Sequence, residues 1–184
     1  MSMMSFTGPY DSSDMSAPVE LVNFGSIGFV PNPQVTVRAE VEDGTARIVA
    51  ISFDYKESSL QLQAFASPKG QNIWEEVLED ITVNLANQGV SVRKENGPFG
   101  LEVFADVTNQ DGGIKTLRMF GVDGERWLLR GTISGKTFED LEVKTFLEDI
   151  FRGVVVFRGE LPLPPREILP LELPTGAIVP KAGL

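Results

Sequence analysis

The chain has 184 residues, 42% of them hydrophobic, which is material for one well-formed core and hardly for two. Its 26 acidic and 16 basic residues give a net charge of -10; that charge repels phosphate backbones and anionic lipid, so neither nucleic acid nor membrane is expected as a direct partner. With no cysteine and no histidine, disulfide frameworks, thiolate zinc sites, cysteine nucleophiles and Ser-His-Asp triads are excluded, because each needs a residue the chain lacks.

Residues 1–17, small, polar and rich in methionine, are expected to form a flexible leader tethered through Pro9 and Tyr10. They show no basic n-region or signal-length apolar run, and no later stretch reaches the roughly 20 apolar residues that span a bilayer. A soluble cytoplasmic protein is the expectation. A single domain is expected over 18–160. It opens with the β-rich runs VELVNF, QVTVRAE, TARIVAISFDY and SLQLQAFA, separated by turn residues. In SLQLQAFA, Leu60, Leu62, Ala64 and Ala66 alternate with Gln61 and Gln63, so one side is expected to be buried.

After Pro68, Asn72 and Glu75 have the spacing of an N-cap and its capping-box partner. Trp74, Val77, Leu78, Ile81 and Leu85 then recur at helical spacing as far as Gly89, which predicts one long helix. Glu75, Glu76, Glu79 and Asp80 on its outer face are read as a solvated surface rather than a metal site, the first two being favoured by the helix dipole.

Four strands follow, VSVRKE, FGLEVFADV, IKTLRMFGV and ERWLLRGTI. Asp123-Gly124 between the last two is the pattern of a two-residue type I′ hairpin. That turn would set Val122 opposite Glu125, Phe120 opposite Trp127 and Arg118 opposite Leu129 on one side of the sheet. Gly121 with Arg126, Met119 with Leu128 and Leu117 with Arg130 would share the other side. The arginines flanking Trp127 therefore project away from it, and no Arg-Trp-Arg sandwich forms. Arg126 and Arg130 either mark a binding surface or lie along the sheet with their stems on Met119 and Leu128, paired with Glu102 or Glu125.

Beyond Gly135, Thr137 and Phe138 suit the start of a helical turn. Thr145 with Glu148 gives a second capping box, and Phe146, Leu147, Ile150 and Phe151 predict a short amphipathic helix ending at Gly153. VVVF, at 154–157, is short and continuously apolar, as in a well-covered strand. Residues 161–184 hold six prolines and many leucines, and read as an extended, polyproline-like arm packed on its own domain or on a second copy. Pro162 to Arg166 also fits a PxxP pattern followed by arginine.

GPYD at 8–11, LQLQAFASPKGQNIWEEV at 60–77, GPFGLE at 97–102, FGVDGERWLLRG at 120–131, LEDIFRGVVVFRGE at 147–160 and PLPPREILPLELP at 162–174 resemble an actinobacterial family, domain of unknown function 3710. The resemblance implies a cytoplasmic bacterial protein and carries over no catalytic or ligand-binding residue.

The element order predicts an α+β fold, a largely antiparallel twisted sheet with one long and one short packed helix, by analogy Mog1/PsbP-like. A β-sandwich or partial barrel with one helix is the alternative. The leading functional expectation is a non-enzymatic module that binds another protein or itself, with no cofactor and no metal. The candidate binding residues are Arg118, Arg126, Trp127, Arg130 and Arg158, of which Arg158 at the end of VVVF is the hardest to explain structurally. A sensor of an anionic small molecule is the alternative, with a pocket between sheet and helix near Trp74 or Trp127 lined by Arg118 or Arg130. A carboxylate hydrolase is less favoured. Glu102 and Asp106, on one face of a strand, stand roughly 13 Å apart, too far for a glycosidase pair.

Overall fold

The computed structural model describes residues 8–15, 20–135 and 140–174. Seven strands form one antiparallel sheet: β4 (Thr36–Val41), β5 (Ile48–Tyr55), β6 (Ser58–Ala66), β7 (Ser91–Gly97), β8 (Gly100–Thr108), β9 (Ile114–Asp123) and β10 (Trp127–Gly135). Their order across the sheet is β4, β5, β6, β10, β9, β8, β7. The short strands β1 (Tyr10–Asp11), β2 (Val22–Asn23), β3 (Ile27–Phe29) and β11 (Val155–Val156) make a second sheet in the order β1, β11, β3, β2. The helices are α1 (Trp74–Asn87) and α2 (Leu141–Arg152), and no helix among the described residues is long and apolar enough to cross a membrane.

Strand alternation divides the molecule into layers. On one face of the large sheet, Leu60, Leu62, Phe120, Trp127, Leu129 and Ile133 meet Val143, Leu147 and Phe151 of α2 and Ile27, Phe29 and Val156 of the small sheet. On the other, Val103, Ala105, Met119 and Leu128 meet Ile73, Trp74 and Leu78. The predicted face of SLQLQAFA and the covered strand within VVVF both stand: Leu60, Leu62 and Ala66 are fully buried, and β11 lies inside the small sheet between β1 and β3. The fold is α+β.

Four local expectations are corrected. The β9–β10 hairpin turns at Glu125-Arg126 instead of Asp123-Gly124: Gly124 N donates to Trp127 O at 2.8 Å, and the register pairs Asp123 with Leu128, Val122 with Leu129 and Gly121 with Arg130. Gly124 serves close approach rather than positive φ, for a Cβ there would meet Trp127 Cε2 at 2.1 Å. The two-residue turn with both residues left-handed is instead Lys56-Glu57, at φ 44° and 59°, between β5 and β6. Asn72 does not cap α1. Ile73 occupies the cap position without a side-chain hydrogen bond of its own, and the Asp123 carboxylate accepts from Ile73 N at 2.8 Å and from Trp74 N at 3.2 Å. The cap thus comes from a strand 50 residues away, at the helix end where a carboxylate is favoured.

Thr145 likewise lies inside α2, which Asp140 caps by accepting from Glu142 N at 3.0 Å and Val143 N at 3.4 Å; Thr137 and Phe138 fall outside the described residues. Part of the expected leader is also structured. Tyr10 and Asp11 pair in parallel with Val155 and Val156, giving the exposed edge of β11 its hydrogen-bond partners. Positions 1–7 and 16–17 of that leader fall outside the described residues.

The arm, described to residue 174, crosses between the sheets. Where β5 diverges from β6, arm residues take its place: Ala66 N donates to Glu167 O at 2.8 Å, Arg166 N to Ala66 O at 2.7 Å and Leu169 N to Ala64 O at 2.8 Å. Farther on, Ser26 N donates to Pro170 O at 3.2 Å and Glu172 N to Phe24 O at 3.0 Å. Leu169 is fully buried. Arg166, which completes the PxxP pattern, is held by Asp80 at 2.6 Å and Glu76 at 3.3 Å on the acidic face of α1.

Candidate functional site

The five candidate residues fall in three places. Arg118 is buried on the α2 side of β9, at 2% exposure. Glu102 Oε2 on β8 accepts from its Nε at 3.1 Å and its Nη2 at 2.9 Å. Nη2 also lies 2.7 Å from Glu148 Oε2 on α2, an ion pair without hydrogen-bond geometry. Lys144 approaches the same oxygen at 3.6 Å, and the guanidinium lies over the Phe120 ring. Glu102, expected opposite Arg126 or Arg130, is thus committed to Arg118. This cluster ties α2 to the sheet. Arg118, Glu102 and Glu148 are all buried, at 2%, 4% and 4% exposure.

Asp106, the other carboxylate weighed for hydrolysis, is also engaged, as are two carboxylates at the β9–β10 hairpin. Asp106 accepts from Thr116 Oγ1 at 2.7 Å, Asp123 caps α1, and Glu125 lies 3.9 Å from Lys69.

Arg130 lies on the opposite face. Beyond the strands that α1 covers, β10, β6, β5 and β4 present polar side chains joined across the strands. Glu40 accepts from Ser52 Oγ at 2.6 Å and from Gln61 Nε2. Gln63 donates to Val49 O at 3.2 Å and accepts from Arg130 Nη2. Arg38 binds Asp54 through Nε and through Nη2, the latter at 3.0 Å, and this holds the Asp54 carboxyl below its ordinary range. Arg130, half-buried, has its guanidinium over the Phe65 ring, 5.0 Å from the ring centre. Its Nε is buried without an acceptor, and burial pushes the guanidinium below its ordinary pKa.

Arg126, Trp127 and Arg158 do come together, at the rim where the β9–β10 loop, the exit of β11 and the start of the arm converge. Trp127, at 2% exposure, donates from Nε1 to Asp11 Oδ2 at 2.8 Å. Burial works to raise the Asp11 carboxyl, but hydrogen bonds from Ser13 and Trp127 and the nearby charge of Arg126 outweigh it and hold the group below its ordinary value. Arg158, unexplained in the sequence, donates from Nε to Arg126 O at 3.2 Å and from Nη1 to Leu161 O at 2.8 Å, clamping loop and arm. Sequence reasoning passed over Asp11 because it lies in a polar leader with no periodic pattern. Alternation marks Gln61 and Gln63 only as outward-facing and carries no sign of their bonds to Glu40 and Arg130.

Open grooves also mark the surface of the described residues. One of about 550 Å³ lies at the Lys56-Glu57 turn, lined also by Asp54, Ser59, Lys115 and Ser134. One of about 330 Å³ runs between Val30 and α2. The groove beside Trp74, about 380 Å³, is lined by Glu75 and Asp123 with Phe99 and Leu101 and by none of the arginines, so its charge does not suit the anionic ligand expected there. On the outer face of α1, Glu76 and Asp80 are taken by Arg166 and Glu79 by Lys94. No group of three or more metal-ligating residues is assembled among the described residues.

The solution structure of cyanobacterial PsbP (CyanoP) from Synechocystis sp. PCC 6803 is similar to the chain, at 12% sequence identity, covering 82% of this chain and 100% of that one with a TM-score of 0.43. No curated protein matches. A family model aligns from residue 8 to residue 178, taking in both sheets, both helices and most of the arm, and the chain therefore belongs to the family described as Protein of unknown function (DUF3710).

Proposed function

We propose that the protein is a non-enzymatic cytoplasmic binding module that engages another protein through the polar half of its large sheet, with Arg130 at the centre. The observation that carries this reading is the state of Arg130. The side chain is partly desolvated, one of its donors lacks an acceptor, and no carboxylate lies within 4.0 Å of it among the described residues. A desolvated cation without a counter-charge costs free energy that a carboxylate from a partner recovers, and arginines held over an aromatic ring are frequent anchors of interfaces. The surrounding side chains of Gln61, Gln63 and Ser52 are fixed by cross-strand hydrogen bonds, so binding loses little side-chain entropy there. The Pro-Leu arm contributes less than its sequence suggests, because the arginine of its PxxP pattern is held by α1.

The test is photo-crosslinking from single unnatural residues placed at Gln61 and Thr132 on this face and at Glu95 on the far edge strand, in cells producing the full chain. Adducts of one defined mass from the first two positions are expected, absent from Glu95, lost in Arg130→Glu and kept in Arg93→Glu. Adducts indifferent to Arg130→Glu would overturn the proposal.

A further inference from the structure

We propose that the outer edge of β4 pairs antiparallel with the β4 edge of a second copy of this chain, joining the two large sheets into one. β4 ends the seven-strand order with β5 as its one neighbour, and among the described residues no strand lies on its other side. Its outward backbone N–H and C=O groups are therefore open to pairing. The register irregularity at this end of the sheet, where Glu40 pairs with Ala50 and Val41 with Ile48, puts the extra residue, Val49, on β5 and leaves β4 regular. Val37 and Ala39 pack on the core face yet stay partly exposed. Arg38 and Glu40 point to the polar face, where they bond Asp54 and Ser52.

A continuous antiparallel sheet built from two identical edge strands has its two-fold axis perpendicular to the sheet, so each face stays on its own side and the axis passes through a residue. In Val37-Arg38-Ala39-Glu40-Val41, an axis through Ala39 sets Arg38 of each copy against Glu40 of the other, and Val37 of each against Val41 of the other. An axis through Arg38 or Glu40 would instead set that charge against its own copy. Charges on an edge strand ordinarily discourage pairing; here the two signs stand where a two-fold brings them together. The other free edge, β7, has no such register at its middle, since an axis through Arg93, Lys94 or Glu95 puts that residue against its own copy. Charge thus selects both the edge and the register. Pairing of two six-residue strands falls below a standard interface in area, so the dimer is weak and concentration-dependent.

The pairing does not rest on the Arg130 reading, because Arg130 on β10 lies three strands from β4, and Arg130→Glu is expected to leave it unchanged. Sedimentation equilibrium of the full chain is run from micromolar to near-millimolar concentration at about 0.15 M salt, where a Debye length of about 8 Å screens the long-range repulsion of two chains of net charge -10. The wild-type chain is expected to dimerise. Arg38→Glu and Glu40→Arg are each expected to weaken the dimer about tenfold or more, since two symmetry-related pairs change from attraction to repulsion at once. An equimolar mixture of the two variants is expected to dimerise, because every pair across the mixed axis is again of opposite charge. The chain has no cysteine, so Ala39→Cys gives a second reading. Strand pairing holds the two positions about 4.5–5.5 Å apart between Cα atoms, within the span of about 4.4–6.8 Å that a disulfide bridges, and mild oxidation is expected to link Ala39→Cys chains but not Glu95→Cys chains. A wild-type chain that stays monomeric throughout, single charge variants that associate as the wild type does, a mixture that associates no better than its components, or equal cross-linking of the two cysteine variants overturns the pairing.

Discussion

Replacing Arg118 with leucine removes the one fully buried cation of the cluster that joins β8, β9 and α2. Glu102 and Glu148, each 4% exposed, would be left facing one another with only Lys144, whose side chain is 41% exposed, nearby. Breaking a buried ion pair by deleting one partner typically costs about 3–5 kcal/mol, because the surviving charge keeps its desolvation penalty without its attraction. For a chain of this size each kcal/mol moves the thermal midpoint by about 2–4 °C, so a fall of about 6–20 °C is expected. Urea unfolding measures the loss directly, with an unchanged m-value showing that stability alone has moved. The triple variant Arg118→Leu, Glu102→Leu, Glu148→Met removes every charge and is expected to regain most of the loss, since an apolar replacement of a whole buried network is often neutral or better. A loss below about 1 kcal/mol for Arg118→Leu alone, or a triple variant as unstable as the single one, would refute the reasoning.

Asp123→Ala leaves two α1 amides without their acceptor and is expected to cost about 1–2 kcal/mol in urea unfolding, whereas Asn72→Ala is expected to cost close to nothing; equal losses would return the cap to Asn72. Because the folded pKa of Asp11 is depressed, its contribution to stability is complete above the unfolded-state value near 3.8 and is lost as pH falls through the lower folded value. The Trp127 indole N–H resonance is expected to report that titration below pH 3.8 and to lose it in Asp11→Asn, while the Trp74 indole, bonded to Leu101 O, stays fixed. Leu169→Ala is expected to cost about 2–5 kcal/mol and to speed hydrogen exchange at the Ala66 amide, which donates to Glu167 O; unchanged protection there would show that the arm is not held by Leu169. Gly124→Ala drives a methyl into the Trp127 ring and is expected to destabilise by about 1–3 kcal/mol while displacing the Trp127 indole resonance; an undisturbed resonance would favour a turn centred on Asp123-Gly124.

Much of the fold was legible because its signals are local. The period of two in SLQLQAFA, the period near 3.6 from Trp74 to Leu85 and the unbroken VVVF each lie within ten or so residues. What could not be read was decided by partners far away in the chain. The body of α1 is written in its own sequence but its cap belongs to β9. Tyr10 and Asp11 form a strand only because β11 offers an open edge, and Arg118 is buried only because Glu102 and Glu148 arrive from two other elements. For the candidate site, the separation of Trp127 from Arg130 followed from strand parity alone. The convergence of Arg126 with Arg158, and of Arg130 with Gln63, required the tertiary register.

The slipped hairpin shows why a correct face assignment can survive a wrong turn. Moving the turn from Asp123-Gly124 to Glu125-Arg126 changes the partner of Val122 from Glu125 to Leu129, a shift of an even number of positions, so the side chains that remain in the paired strands stay on their predicted sides. The local preference for Asp-Gly is outweighed by what the two residues do elsewhere. Asp123, still within β9, is free to cap α1, and Gly124 lets the Trp127 ring lie against the backbone with Nε1 reaching Asp11. A type I′ turn at Asp123-Gly124 would have drawn both residues into the loop and left the amides of Ile73 and Trp74 without that carboxylate. The charged pair Glu125-Arg126 occupies the tip instead, which is what places Arg126 beside Arg158.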